Sequence, residues 1–155
     1  MTPLQPLIIL LGQSESERDA AQAASQRALS SHQTAAAQAD QLLAYRRDYE
    51  LRWGSQFQTG GAIELVNCYR SFMDRLTQAV EQQQRVARQA EAQVEPTRAA
   101  LVATELRVAT VRKLIERRVL EQRVAEARQE QKTSDEFAAR SAWNRRTGND
   151  AAQAT

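Results

Sequence analysis

The sequence predicts an all-α fold, an antiparallel two-helix coiled-coil hairpin in which helix 2 is longer than helix 1 and is kinked near Pro96. Three of the five glycines lie within residues 53–62, and the chain on both sides is rich in Ala, Gln, Arg, Glu and Leu. A glycine-rich interruption between two helical runs is typical of an α-hairpin with antiparallel arms. Aromatic residues make up only 5% of the chain, and alanine is its commonest apolar residue, so the arms bury a narrow seam rather than a thick core.

Helix 1 is predicted over about residues 7–53, after an irregular start that contains Pro3 and Pro6. Alternate steps of three and four residues meet apolar side chains at nine of fourteen positions, which is the pattern of a coiled-coil seam. The only histidine, His32, lies on this seam and is interpreted as a polar interface residue rather than a ligand. The seam consists of Leu7, Leu11, Ser14, Arg18, Ala21, Ser25, Ala28, His32, Ala35, Ala39, Leu42, Arg46, Tyr49 and Trp53.

A turn over residues 54–62 leads into helix 2, predicted over about residues 63–146 and followed by a disordered tail, 147–155. Glu64 favours a helix start because a carboxylate stabilises the positive end of the helix dipole. Pro96 predicts a bend rather than a stop, because the apolar spacing resumes directly after it. A third helix that begins at Pro96, in a three-helix bundle, is the alternative. The predicted seam of helix 2 is Leu65, Tyr69, Phe72, Leu76, Ala79, Gln83, Val86, Ala90, Leu101, Val108, Val111 and Ile115.

Helix 2 is expected to continue beyond its partner. If Trp53 pairs near Leu65, roughly 35 residues of helix 2 extend past helix 1, on the order of 50 Å at 1.5 Å per residue. This overhang contains a basic segment, residues 107–132, with eight positive and four negative charges. Another protein is expected to cover it, and a self-dimer is the alternative.

Near the turn the chain has more apolar residues than one seam requires. One line of helix 2 consists of Val66, Tyr69, Met73, Leu76 and Val80, and a neighbouring line of Phe72, Leu76, Ala79 and Gln83. In helix 1, Gln38, Leu42, Tyr45 and Tyr49 form a line of their own. One line is predicted to face the partner helix and another to face outward as a protein-binding stripe. The alternative is that all of them pack inside a wide tip.

No catalytic or metal-binding pattern is visible. With one His and one Cys, the chain offers no Cys-His or Ser-His-Asp arrangement and no metal-ligand spacing, so we predict a non-enzyme without cofactors. Thr59-Gly60-Gly61 lacks the lysine of a phosphate loop. Cys68 allows no internal disulfide, and the apolar residues 7–11 are too few for a signal peptide or a bilayer span. These observations favour a cytoplasmic protein.

Three short motifs resemble the FliJ family of flagellar export proteins. They are Leu-Leu-Ala-Tyr-Arg-Arg-Asp-Tyr at residues 42–49, Asn-Cys-Tyr-Arg-Ser-Phe-Met-Asp-Arg-Leu-Thr-Gln-Ala-Val at residues 67–80, and Lys-Thr-Ser-Asp-Glu-Phe-Ala-Ala-Arg at residues 132–140. They occur in the family's order and spacing, and the hairpin with a longer second helix matches along nearly the whole chain.

The resemblance implies a soluble component of the flagellar type III export apparatus, built like the stalk of a rotary ATPase. Its implied partners are the hexameric export ATPase, the cytoplasmic linker of the membrane export-gate protein and empty export chaperones. The chain would then act at the cytoplasmic face of the inner membrane, peripheral to it through its partners only. By motif, the implied gate-binding residues are Gln38, Leu42, Tyr45, Tyr49, Phe72, Leu76 and Ala79, and the expected ATPase-binding residues are Arg112, Arg117, Arg118 and Arg123.

Other functions remain open at this point. The equivalent stalk of a virulence injectisome has the same architecture, and a generic helical adaptor would share the composition. A hairpin that binds nucleic acid or acidic membrane belongs to a different class. Four glutamates are interleaved with the positive charges of residues 107–132, which argues against a face that tracks phosphates: Glu116, Glu121, Glu126 and Glu130.

Overall fold

The computed structural model describes residues 3–57 and 60–154. Helix α1 spans Gln5–Phe57 and helix α2 spans Ile63–Gln153. The described residues contain no strand, and the two helices pack against each other. The predicted all-α helical hairpin with a longer second helix is therefore confirmed.

Helix α1 is longer at both ends than predicted. It begins at Gln5, and Pro6 fits in its first turn because the N–H that proline lacks would have no intrahelical partner there. It then continues through Gly54 to Phe57, although the sequence predicts an end at Trp53. The Trp53 and Phe57 rings stack with centroids 5.7 Å apart. This contact of about 0.5–1.5 kcal/mol offsets a cost of about 1 kcal/mol for glycine inside a helix.

The connection between the helices uses glycine where other residues would be strained. Gln58 and Thr59, which belong to the predicted turn, lie outside the described residues. Gly60 has a φ of 99°, a backbone conformation that side chains with a Cβ rarely adopt. A Cβ on Gly61 would lie 3.3 Å from Cδ1 of Phe57, so the small residue allows the chain to pass close to that ring.

Helix α2 begins at Ile63, as predicted, and passes through Pro96 without ending. The alternative of a third helix that starts at Pro96 is therefore wrong, while a bend at this position stays a prediction. Proline removes a backbone donor. In the same turn, the Thr97 hydroxyl donates to the carbonyl oxygens of Gln93 (2.8 Å) and Val94 (2.9 Å).

The predicted disordered tail is also wrong for most of residues 147–155, because α2 runs on to Gln153. The Thr147 hydroxyl donates to the carbonyl oxygens of Trp143 (3.1 Å) and Asn144 (3.2 Å) and so belongs to the helix. Gly148 makes the last turns less stable without ending them, because a single glycine is a penalty of about 1 kcal/mol rather than a block.

By its contacts the chain divides into two compact units, one of Gln13–Val108 and one of Met1–Gly12 with Ala109–Thr155. In the first of these, every predicted α1 seam position from Ser14 to Trp53 is buried or half-buried, His32 included. Polar contacts that join the arms include an ion pair between Arg107 and Glu17 (2.6 Å) and a hydrogen bond from Gln83 to the Ala35 carbonyl oxygen (3.4 Å).

On α2, the structure selects one of the two lines near the turn. Leu76 and Val80 are buried, and Val66, Tyr69 and Met73 are half-buried, so this line faces α1. The other line includes Phe72 and Ala79, which are exposed. Leu65 and Val86 are 50% and 43% exposed and do not belong to the seam, contrary to the prediction. The three-four steps that face α1 start from Val66 rather than from Leu65. Leu65 and Val86 therefore lie beside the buried line and not on it.

Few of the described residues in the unit of Met1–Gly12 and Ala109–Thr155 are packed against others. Val111 is buried, and Leu7, Leu11 and Ile115 are half-buried. Every residue of α2 from position 123 to position 140 is exposed. This part of the helix therefore has no cover from its own unit.

Candidate functional site: the tip surface and the basic segment

Six aromatic rings from both arms meet next to the hairpin turn. Tyr49 contacts Tyr45 and Phe72, with ring centroids 4.7 and 5.1 Å apart. Tyr69 contacts Phe57 at 5.2 Å and Trp53 at 6.2 Å. Aromatic pairs at such distances stabilise a structure by about 0.5–1.5 kcal/mol beyond the area they bury. The aromatic residues thus join the arms where the backbone connection is most dependent on glycine.

The seven residues expected to bind the export gate are called the tip stripe here: Gln38, Leu42, Tyr45, Tyr49, Phe72, Leu76 and Ala79. Gln38 and Ala79 are exposed, and Tyr45 and Phe72 are 46% and 39% exposed. Leu42 and Tyr49 are half-buried. Ring contacts through Tyr49 bring members from the two arms together.

Leu76 departs from the outward position expected for this stripe, because it is only 8% exposed. It belongs to both heptad lines of α2 and follows Met73 and precedes Val80 at seam spacing, so the seam determines its direction. Leu76 can therefore contribute to the tip stripe only by packing beneath its exposed side chains.

One end of the tip stripe opens into an apolar groove, the aromatic groove. Its volume is about 270 Å³, and it is lined by Tyr49, Trp53, Leu65, Cys68, Tyr69 and Phe72. The sequence predicts Trp53 and Leu65 only on the seam, and Tyr69 on the seam and on the line of Val66. Which residues line a groove between two arms depends on the register of the arms, and residue spacing along one helix does not report that register.

The other end of the tip stripe forms a second groove, the glutamine groove, lined by Gln38, Gln41, Leu42, Tyr45 and Gln83. Gln83 Nε2 donates to Gln38 Oε1 across the arms at 3.0 Å, and to the Ala35 carbonyl oxygen at 3.4 Å. The sequence could place Gln83 on the line of Phe72 and Ala79, but not its pairing with Gln38.

Between the two grooves, the hydroxyl of Tyr45 shares a hydrogen bond with that of Tyr49. The pKa of Tyr45 is raised above its ordinary value, mainly by the hydrogen bond with the Tyr49 hydroxyl and to a smaller extent by partial desolvation. Tyr45 therefore stays neutral throughout the physiological pH range. The centre of the tip stripe is thus an uncharged, weakly polar surface.

Charged residues beside the stripe pair with each other along α1. Arg46 Nε lies 3.3 Å from Glu50 Oε1, and Arg52 lies 3.3 Å from Asp48. Such exposed pairs contribute only about 0–1 kcal/mol to stability, but they neutralise the rim of the stripe. Within residues 3–57 and 60–154, no three His, Cys, Asp or Glu side chains form a cluster that could hold a metal ion.

The four predicted ATPase-binding arginines, Arg112, Arg117, Arg118 and Arg123, are all exposed on α2. Arg117 pairs with Glu121 at 3.7 Å. At 100° per residue, Arg112 and Arg123 share one side of the helix, whereas Arg117 and Arg118 point in two other directions. The four charges therefore surround the helix and do not form one face that could follow a line of phosphates.

The described residues include no helix that is long and apolar enough to cross a membrane.

No curated protein and no solved structure matches the chain. One family model matches, described as Flagellar FliJ protein, and the match covers residues 3–147. It includes both arms, every tip-stripe residue and the four arginines of the basic segment. This family is a non-catalytic component of flagellar type III export. The chain belongs to the FliJ family of flagellar export proteins.

Proposed function

We propose that the chain is the stalk of the flagellar export apparatus, which engages the hexameric export ATPase and links it to the membrane export gate. In this proposal the tip stripe binds the cytoplasmic linker of the gate protein, and the basic segment binds the ATPase. The chain also helps to recycle empty export chaperones. It acts in the cytoplasm at the inner membrane, bound there through its partners, and has no enzymatic activity of its own.

The observation that carries the gate contact is the partly exposed aromatic surface at Tyr45, Tyr49 and Phe72. Aromatic residues are only 5% of the chain, yet three of them line one stripe and leave ring surface open to solvent. Tyrosine is enriched in protein interfaces because its ring buries area while its hydroxyl keeps a hydrogen bond. A stripe of this kind suits a protein partner better than a nucleic acid or a lipid headgroup.

The ATPase contact is supported by the uncovered part of α2. Residues 123–140 are all exposed, and the four predicted arginines project around the helix. A long helix without tertiary cover is stabilised when a partner encloses it. Positive charge on several sides of the helix fits a partner that surrounds it, such as the opening of a ring-shaped hexamer.

The first test measures ATP hydrolysis and hexamer formation by the cognate export ATPase with the full chain and with a chain that ends at Ile115. Stimulation that is lost on truncation supports the proposed contact in the basic segment. Equal stimulation by both chains moves the ATPase contact to the paired part of the hairpin. No effect of either chain rejects the stalk function.

The gate contact is tested by the affinity of the purified gate linker for chains with Tyr45→Ala or Phe72→Ala. Phe137→Ala is the matched control, because it removes a 74% exposed ring from the same helix as Phe72. The two tip variants are expected to lose at least tenfold in affinity, and the control to bind like the original chain. Equal binding by all three variants would reject the assignment of the tip stripe.

A further inference from the structure

We propose that the tip stripe binds its partner as an extended polypeptide segment rather than as a helix. The amide pair Gln38–Gln83 holds the main chain of this segment, and an apolar side chain about five residues away enters the aromatic groove. The inference rests on the proposed function, which supplies the gate linker as the protein that contains the segment.

The first support is the hydrogen-bond inventory of the amide pair. Gln83 uses its Nε2 group on Gln38 Oε1 and on the Ala35 carbonyl oxygen. Over the described ranges 3–57 and 60–154, the NH₂ group of Gln38 and Oε1 of Gln83 have no protein partner. The pair therefore offers a donor group, the Gln38 NH₂, and an acceptor, Gln83 Oε1, and Gln38 is exposed.

A peptide unit has the complementary groups, a carbonyl oxygen that accepts and an N–H that donates. In a helical partner these groups are already bonded to each other along the helix, so the amide pair would gain little from it. In an extended partner they are free, and main-chain hydrogen bonds supply affinity in such complexes. The amide pair thus favours an extended segment.

The second support is the distance between the two grooves. Gln38 precedes Tyr49 by eleven residues on α1, and Phe72 precedes Gln83 by eleven residues on α2. On both arms this separation is about 16 Å at 1.5 Å per residue. An extended segment covers it in about five residues, at roughly 3.3 Å each. Leu42 and Tyr45 lie along the path between the grooves.

The third support is the chemistry of the aromatic groove. Its lining consists of four aromatic rings with Leu65 and Cys68, and it contains no charged side chain. A charged side chain placed there would lose hydration without gaining a counter-charge. The segment is therefore expected to place an uncharged apolar side chain in this groove.

The test uses synthetic peptides that tile the gate linker, with affinity measured by fluorescence anisotropy on the full-length chain. In the peptide that binds, each backbone amide is replaced in turn by an ester, which removes one N–H donor. One ester position is expected to weaken binding by about three- to tenfold, the range for a single neutral hydrogen bond. In a chain with Gln83→Met, which keeps the side-chain length but has no amide, this ester effect is expected to disappear.

Gln38→Glu gives an independent test, because the new carboxylate still accepts the hydrogen bond from Gln83 but has no NH₂ group for the partner. It is expected to weaken peptide binding by about three- to tenfold. Gln33→Glu is its control, since it adds the same charge at an exposed position outside the glutamine groove. Equal losses from both variants would point to charge alone and would overturn the role of the amide pair.

The outcomes separate this inference from the proposed function. If the linker binds, Tyr45→Ala weakens it, and no ester or Gln38→Glu has an effect, the stripe binds the gate but the extended segment is wrong. If neither the linker nor its peptides bind the original chain, the proposed gate contact itself is wrong. A position-specific ester effect that depends on Gln83 supports both.

Discussion

The tip stripe and the basic segment differ in whether their proposed binding residues also stabilise the fold. At the tip, the residues proposed to bind a partner also hold the arms together, since Tyr49 contacts rings on its own arm and on the other. In the basic segment the proposed binding residues are exposed, and α2 buries nothing between positions 123 and 140. Binding and folding are therefore coupled at the tip and separable in the basic segment.

The largest expected effect is a loss of stability at the tip. Leu76→Ala removes one of the few buried side chains of the seam and is expected to lower the free energy of unfolding by about 2–3 kcal/mol. Urea denaturation followed by circular dichroism measures it. A loss below about 1 kcal/mol would show that the seam near the tip contributes little to the fold.

Replacing all four arginines of the basic segment, Arg112, Arg117, Arg118 and Arg123, by glutamine is expected to separate binding from folding. Each is exposed, so the free energy of unfolding should change by less than about 1 kcal/mol in total. ATPase affinity should fall more than tenfold and lose most of its salt dependence. Unchanged affinity would place the ATPase contact elsewhere on the chain.

Tyr49→Ala is expected to affect both properties together. It removes two ring contacts, so the free energy of unfolding should fall by about 1–3 kcal/mol, and gate-linker affinity should also fall. Tyr49→Phe is the control that keeps the ring and removes only the hydroxyl. If Tyr49→Ala reduced affinity without any change in stability, the two roles would be separable at the tip as well.

A smaller effect is expected at the ion pair that joins the arms far from the tip. The side chains of Arg107 and Glu17 are 60% and 44% exposed, so Glu17→Gln should cost less than about 1 kcal/mol. The difference from the original chain should shrink as salt is added, because salt screens exposed charges. Thermal unfolding at low and high ionic strength would reveal a larger, salt-independent loss if the pair were more important.

The smallest effect concerns Tyr45, whose pKa is raised by its hydrogen bond with Tyr49. A group whose pKa is raised in the folded state contributes stability below its unfolded pKa, about 10 for tyrosine, and loses this contribution as the pH rises through the folded pKa. In ultraviolet titration, the phenol signal that is lost in Tyr45→Phe should therefore be one that ionises above the ordinary tyrosine pKa of about 10. Gate-linker affinity should stay constant from about pH 6 to 9.

The sequence predicted the α1 seam well, because Ser14, Ala35 and Ala39, the buried residues of α1, all lie on the predicted three-four steps. It was less successful at the helix ends. The sequence predicts breaks at Gly54 and Gly148, yet both lie inside helices, because one glycine costs only about 1 kcal/mol. At Gly54 the Trp53–Phe57 ring contact offsets that cost. A single glycine is therefore a weaker signal than the helix-forming residues on either side of it.

At the tip, residue spacing along one helix could not predict which apolar residues face the other helix. Spacing along α2 showed that two apolar lines exist, but the choice between them depended on the packing of the partner arm. The same holds for the aromatic groove, where Cys68 and Leu65 come beside Tyr49 only through the register of the arms. Periodicity predicts which residues share a face of one helix, but the lining of a groove depends on how two helices pack together.

Cys68 lies where its reactivity can report whether the aromatic groove is occupied. It is the only cysteine of the chain, it is exposed, and it lines the aromatic groove. A thiol reagent therefore labels the chain at one position, and a ligand seated in the groove shields the sulfur from that reagent. The rate of alkylation in a cell extract or in intact cells would measure how much of the protein is occupied at the tip, without any substitution in the chain.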